Sequence, residues 1–185
     1  MAKSIKHVNK TPTEGLLKKS LLFLIQTKPI GSITVKELCA HAGINRTTFY
    51  THYSSVQEIL ESIQNELIDE LTKIVQTITQ TERSVKEGNV LFLTEIKKRK
   101  DIYNILFSIP DCVNFIQQFA TLLHSGIASK SMPYSNTANS KYYPIYMTSG
   151  AVACITKWVA ADCDIPVEEF ATLLLTLAHN SNLSR

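Results

Sequence analysis

The chain has 185 residues, of which 44% are hydrophobic and 19% charged, a balance typical of one or two small globular domains. No apolar run is long enough to cross a bilayer, and no apolar stretch of the signal-peptide kind follows the basic start, so we expect a cytoplasmic protein without a membrane partner. The net charge is +3, yet residues 1–55 contain eight lysines and arginines against two glutamates. A basic first third on an acidic remainder predicts a head that binds a polyanion.

The first three predicted helices lie close together in the basic region. Thr11 and Thr34 each stand three residues before a glutamate, which is the capping-box signal of a helix start. The second helix ends near Gly43, a residue that can take the left-handed conformation closing a helix. A third short helix follows at once, from about residue 45 to residue 53. Two short helices across a tight glycine turn predict a helix-turn-helix.

A long amphipathic helix is predicted next, opened by a third capping signal at residues 55–58. Its apolar residues recur at steps of three or four and form one stripe. A stripe of this length exceeds the needs of a head domain, so the helix is predicted to join a head, residues 1–55, to a body, residues 56–185. The stripe consists of Val56, Leu60, Ile63, Leu67, Leu71, Ile74 and Ile78.

The rest of the chain shows helical patterns interrupted by one polar loop. The segment at 131–141 is rich in serine and asparagine and contains a proline, which predicts a loop. No convincing strand and no internal repeat is found, so the predicted fold class is all-α. The predicted helices of this part span about residues 85–98, 101–108, 112–128, 142–162 and 164–178.

The third helix has two chemically different sides. Phe49 and Tyr53 are four residues apart and share the side that faces the core. The other side offers hydroxyls to phosphates, threonine methyls to thymine and a guanidinium to guanine or phosphate. We therefore predict double-stranded DNA as the partner; the alternative is an ordinary helical corner with a polar surface. The outward residues are Arg46, Thr47, Thr48, Tyr50 and Thr51, with His52 at the rim.

The segment ITVKELCAHAGINRTTFYTHYSSVQEIL, residues 33–60, resembles the head of TetR-type transcriptional regulators. The body resembles, more loosely, that of the dihydroxyacetone-kinase operon activators. One departure is Val56, which stands where the family usually has a lysine, so one phosphate contact is missing or is moved to the N-terminal arm. The resemblance implies base or nearby backbone contacts for Lys36, Arg46, Thr47 and Tyr50, and phosphate contacts for Thr34, Thr48 and His52.

The resemblance also implies a homodimer and a small-molecule effector bound in the body. The last two helices are apolar enough for a four-helix dimer seam, although a hairpin buried within a monomer has the same composition. Body aromatics are candidates for an effector cavity, although aromatics at helical spacing are also ordinary core. Dimer candidates are Gly150, Ala151, Cys154, Trp158, Phe170, Leu174 and Leu177; effector candidates are Tyr103, Phe107, Phe115, Phe119, His124 and Tyr146.

Enzymatic, cofactor and metal functions find no support in the motifs. The four cysteines and five histidines match no zinc spacing, and no phosphate-binding loop, nucleophile elbow or dinucleotide fingerprint occurs. We therefore predict a non-enzymatic regulator without cofactor or metal. The alternative that the sequence leaves open is a co-regulator or ligand sensor that acts through a protein partner rather than through its own DNA contacts.

Overall fold

The structure of the chain is a computed structural model, and it describes residues 11–125 and 142–180. The regular structure of these residues is helical, which confirms the predicted all-α class, and no described helix is long and apolar enough to span a membrane. The N-terminal arm and the loop predicted at 131–141 lie outside the described residues. The described α-helices are α1 (Pro12–Leu24), α2 (Val35–Ala42), α3 (Arg46–His52), α4 (Val56–Gln80), α5 (Val85–Lys98), α6 (Lys100–Ser108), α7 (Val113–Leu123), α8 (Tyr142–Ala160) and α9 (Val167–Asn180).

The chain divides into two compact units, residues 1–66 and 67–185. In the first unit α1 packs on α2 and α2 on α3, and in the second α9 packs on α5 while α6 and α7 pack on α8. Helix α4 begins in the first unit and continues into the second. The functional division that the sequence suggests, at the start of α4, stays a prediction.

The predicted helix starts are capped, but among the described helices only one capping box is complete. Thr34 Oγ1 accepts a hydrogen bond from Glu37 N at 3.2 Å, whereas the Glu37 carboxylate accepts one from Lys28 Nζ at 2.5 Å. The complete box lies at α5, where Ser84 and Glu87 bond reciprocally. At α2 the glutamate of the capping signal thus pairs with Lys28 rather than with the helix terminus.

The turn between α2 and α3 needs a glycine. Gly43 has φ 67°, and Ile44 N donates to Cys39 O at 3.0 Å, which is the hydrogen bond of a Schellman motif. A Cβ added at Gly43 would meet nothing within 4 Å, so the cost of a side chain here is confined to the backbone. The turn that sets the angle between α2 and α3 therefore depends on backbone freedom alone.

Gly43→Ala is expected to lower the free energy of unfolding by about 1 kcal/mol, because an L-residue is strained in the left-handed region. Gly15→Ala is the matched control: Gly15 lies within α1 and has the same open surroundings. That substitution should raise the free energy of unfolding by about 0.5–1 kcal/mol. Chemical denaturation measures both, and changes of the same sign in the two variants would contradict this account.

The apolar stripe of α4 follows the prediction except at one position. Ile74 is only half-buried, whereas its neighbour Val75 is 7% exposed and takes the predicted place of Ile74 in the core. One step of four residues leads from Leu71 to Val75, and one step of three leads on to Ile78, where the stripe ends. Gly88 of α5 fits against this end, because a Cβ there would lie 3.0 Å from Ile78 Cγ2.

Two helix boundaries of the second unit differ from those predicted. Helix α8 ends at Ala160 rather than 162, because Asp162 adopts φ 59° and Cys163 N donates to Trp158 O at 2.9 Å in a second Schellman closure. Helix α9 begins at Val167, after Pro166 rather than near residue 164. Helix α7 is assigned to Leu123, and its predicted end near residue 128 lies outside the described residues.

Candidate nucleic-acid interface

Helix α3 is held to the head by one side and capped by the residue that precedes it. Asn45 Oδ1 accepts a hydrogen bond from Thr48 N at 2.7 Å, which caps the helix start. Phe49 is fully buried and Tyr53 is 7% exposed, so both face the core as the sequence predicts. A seven-residue helix fixed at its start and along one side presents its other side in a defined orientation.

The opposite side of α3 is open to solvent. Arg46, Thr47 and Thr51 are exposed, and Tyr50 is 60% exposed with its ring edge-on to Phe49 at 5.2 Å. Thr48, the fifth residue predicted on this side, is half-buried. The structure thus brings the predicted outward residues together on one accessible side, and their contacts with DNA stay a prediction.

The charges of the described head separate into paired and unpaired cations. Lys18 Nζ lies 2.5 Å from Glu66 Oε1, and Lys28 Nζ lies 2.5 Å from Glu37 Oε1. Within residues 11–66, Lys36 and Arg46 form no ion pair, and both are exposed. A polyanion that approaches α2 and α3 therefore meets two cations that need not break a salt bridge first.

His52 has an intramolecular partner that the sequence analysis missed. Its Nδ1 lies 3.3 Å from Glu14 Oε1, and both side chains are about four-fifths buried. Glu14 N in turn donates to Thr11 Oγ1 at 3.3 Å, so the cap of α1 is linked to the end of α3. The only sequence signal for Glu14 was its place in the capping pattern, which pointed to the helix terminus instead.

Thr34 and Val56 are the remaining head positions that the sequence singled out. The Thr34 hydroxyl caps α2, and the residue is exposed, so its oxygen also remains accessible at the helix start. Val56 is 8% exposed and belongs to the core of the head. The position where the family usually has a lysine is thus filled by a packed apolar side chain, which offers no group to a phosphate.

Four of the six effector candidates form one aromatic cluster in the second unit. Tyr103 and Phe119 have ring centroids 6.2 Å apart, Phe107 and Phe119 5.3 Å, and Phe115 lies 6.0 Å from Phe107. Burial raises the pKa of Tyr103 well above its ordinary value, and the nearby carboxylate of Glu70 adds to the increase. The neutral phenol of Tyr103 is therefore the form present at neutral pH.

The other two effector candidates lie apart from this cluster. His124 Nδ1 is 3.5 Å from Thr148 Oγ1 and lines a groove of about 310 Å³ between α7 and α8. Tyr146 is 68% exposed and lines a groove of about 420 Å³ between α8 and α9. The six residues therefore do not meet in one place.

The dimer candidates separate into an internal pair and a set that lines a groove. Trp158 stacks on Phe170 with ring centroids 4.6 Å apart, its Nε1 donates to Ile165 O at 2.9 Å, and both rings are buried within the protomer. Tyr142, Ile145 and Leu173 are further exposed apolar residues of α8 and α9. The other candidates line the α8–α9 groove, and they are Gly150, Ala151, Cys154, Leu174 and Leu177.

The cysteines of the described residues are free thiols. Cys39 and Cys163 are buried, and burial raises the pKa of both thiols. Across 11–125 and 142–180, no three histidine, cysteine or acidic side chains are grouped so that they could hold a metal ion. The cysteines therefore act as small apolar side chains in this part of the chain.

A helix-turn-helix with an open outward side, followed by an all-helical second unit, defines a helical transcriptional regulator. A family model described as "Transcriptional regulator C-terminal region", TetR_C_8, matches residues 83–180, more than half of the chain. The chain belongs to the TetR family of transcriptional regulators, which bind DNA and are not enzymes.

Solved structures share the fold over nearly the whole chain. A TetR transcriptional regulator from Streptococcus agalactiae 2603V is 20% identical with a TM-score of 0.66, covering 90% of this chain and 93% of its own. The fatty acid degradation regulator FadR from Bacillus halodurans is 13% identical with a TM-score of 0.69, and the match covers 95% of this chain and 99% of FadR. The dihydroxyacetone kinase operon activator DhaS is 19% identical with a TM-score of 0.58, and the match covers 92% of this chain and 96% of DhaS. A comparison with curated proteins found no match.

Proposed function

We propose that the chain is a sequence-specific transcriptional regulator that binds a palindromic operator as a homodimer and responds to a small molecule held in its body. Residues 1–55 are the DNA-binding part, and residues 56–185 carry the dimer seam and the effector site. The observation that carries the proposal is the exposed side of α3, where Arg46, Thr47, Tyr50 and Thr51 stand together without an acidic side chain among them. Hydroxyls, a phenol and a guanidinium on one short helix match the groups that base edges and phosphates present.

Lys36 and the residues at the rim of α3 complete the proposed DNA surface. Lys36 has no salt bridge within the described head and supplies a second free cation beside Arg46. Thr34 and Thr48 offer hydroxyls at the starts of α2 and α3. In its doubly protonated form, His52 can donate to a phosphate through Nε2 while Nδ1 donates to Glu14, which fixes the direction of the ring.

A homodimer is supported by the exposed apolar surface of α8 and α9. No lysine, arginine, aspartate or glutamate occurs from residue 142 to residue 156 or from residue 170 to residue 178. Exposed side chains there include Tyr146 and Leu177, which line an apolar groove. A charge-free surface of this extent favours contact with another protein surface, and a twofold pair of heads suits a palindrome with half-sites one turn apart.

The effector site is proposed at the aromatic cluster of the second unit. Tyr103 places one phenol beside the Arg99–Glu70 ion pair, whose Nη2 and Oε1 are 2.5 Å apart. Rings that pack around a few polar groups are typical of pockets for small apolar molecules. His124 and Tyr146 line separate grooves, so we do not include them in the proposed effector site.

Arg46→Ala is expected to lower affinity for the operator by about 5- to 150-fold for each half-site, the range of about 1–3 kcal/mol for one bidentate arginine–guanine contact. In a dimer the loss multiplies over the two half-sites. Affinity for random duplex should change much less. The operator is first selected from random duplexes by the purified protein, and fluorescence anisotropy then measures both affinities at fixed salt. Lys19→Ala, which removes an exposed cation from α1, is the control. It should lower the affinity for the operator and for random duplex to a similar small extent.

Two outcomes would contradict this proposal in different ways. An unchanged ratio of operator to random affinity in Arg46→Ala would remove Arg46 from the base contacts. A wild-type protein that selects no sequence at all would overturn the regulator function and favour the alternative, a co-regulator that acts through a protein partner.

A further inference from the structure

The two outward threonines of α3 are not equivalent in the structure. The Thr51 hydroxyl donates to Thr48 O at 2.7 Å, so its only hydrogen-bond donor is used within the helix. Thr47 makes no such bond among the described residues, and its hydroxyl is therefore available to a ligand. Both residues are exposed and lie four positions apart, on the same side of α3.

The internal bond also determines which atoms of Thr51 point to a ligand. With Oγ1 held at the backbone carbonyl, the γ-methyl group takes another of the three staggered positions and keeps it, because threonine is restricted about χ1. A phosphate contact would need the hydroxyl proton, and the side chain would have to give up its bond to Thr48 to supply it. The methyl group is therefore the part of the Thr51 side chain that can contact a ligand while the hydrogen bond to Thr48 is kept.

The size of α3 places both threonines within one groove. The helix has seven residues and is about 10 Å long, less than the width of about 12 Å of the DNA major groove. Thr47 and Thr51 are separated by about 6 Å along the helix axis, so a docking that brings Thr47 to base edges also brings Thr51 near them. Thymine is the base that presents a methyl group in this groove, at C5, and an apolar side-chain contact with it distinguishes thymine from the other bases.

We propose that Thr51 is a specificity-determining residue that reads a thymine in each operator half-site through its γ-methyl group, while Thr47 acts through its free hydroxyl. The inference rests on the proposed function, because it concerns the same DNA surface. Loss of one methyl contact should weaken binding about fourfold, equivalent to about 0.8 kcal/mol. Loss of both symmetric contacts of a dimer should weaken it about sixteenfold, since the two half-sites contribute independently.

The experiment replaces single thymines of the selected operator by deoxyuridine, which lacks only the C5 methyl group. Wild-type protein should show one position in each half-site where the replacement weakens binding about fourfold. Thr51→Val keeps a methyl group, loses the hydroxyl and should keep that sensitivity. Thr51→Ser keeps the hydroxyl, loses the methyl and should bind thymine and deoxyuridine equally at that position. Thr47→Ser is the matched control and should show the wild-type profile there.

Three results would overturn the inference while the proposed function stands. The first is a Thr51→Ser variant with the wild-type deoxyuridine profile, and the second is a selected half-site without any thymine. The third is a Thr51→Val variant that binds every duplex more weakly and with a smaller salt dependence, which identifies a phosphate contact through the hydroxyl. If the wild-type protein selects no sequence, the proposed function itself fails.

Discussion

Leu177→Glu is expected to convert the proposed dimer into a monomer. Leu177 is 45% exposed in the protomer and lines the α8–α9 groove, so a carboxylate there is tolerated by the isolated protomer. In an apolar seam the same carboxylate would be desolvated without a partner, and the twofold axis would bring in a second one. The variant should therefore fold and fail to associate.

The loss of the dimer should lower operator affinity by about 100-fold or more, because two linked heads gain about 10²–10⁴ in affinity over one. Light scattering gives the mass in solution, and anisotropy on the selected operator gives the affinity. Asn104→Glu introduces the same charge at an exposed position of α6 and should leave mass and affinity unchanged. A Leu177→Glu protein that remains dimeric would place the seam elsewhere.

Phe49→Ala is expected to lower the stability of the first unit by about 3–5 kcal/mol, the range for an aromatic removed from a packed core. Phe49 is fully buried and contacts the rings of Tyr50 and Tyr53. A loss of this size approaches the whole stability of a small domain, so the first unit should unfold in part. Operator binding should disappear although Phe49 itself faces the core.

Hydrogen exchange resolved along the chain separates local from global loss. The amides of α1 to α3 should exchange faster in Phe49→Ala, while those of α5 to α9 keep their protection. Tyr50→Ala is the matched control on the same helix, since Tyr50 is 60% exposed. It should change stability by less than about 0.5 kcal/mol yet still weaken operator binding. Equal stability of Phe49→Ala and Tyr50→Ala would show that α3 is not anchored as described.

Local chemistry was enough to predict the helices and the outward side of α3. N-caps, a left-handed glycine and the 3.6-residue period act between residues close in the chain, so Thr34, Gly43 and the alternation around Phe49 could be interpreted without coordinates. These features bounded the head and defined the fold class. The roles of the outward residues still rest on chemistry that only an experiment with DNA can test.

Only the tertiary structure shows which side chains of different helices contact one another. The Glu14 carboxylate lies beside His52 rather than at the backbone of the α1 N-cap, and Trp158 stacks on Phe170 within the protomer. Val75 replaces Ile74 in the core although both fit the period. Burial and ion pairing depend on which helices pack against a side chain, and residues far apart in the chain supply those neighbours, so the spacing within one helix could not specify them.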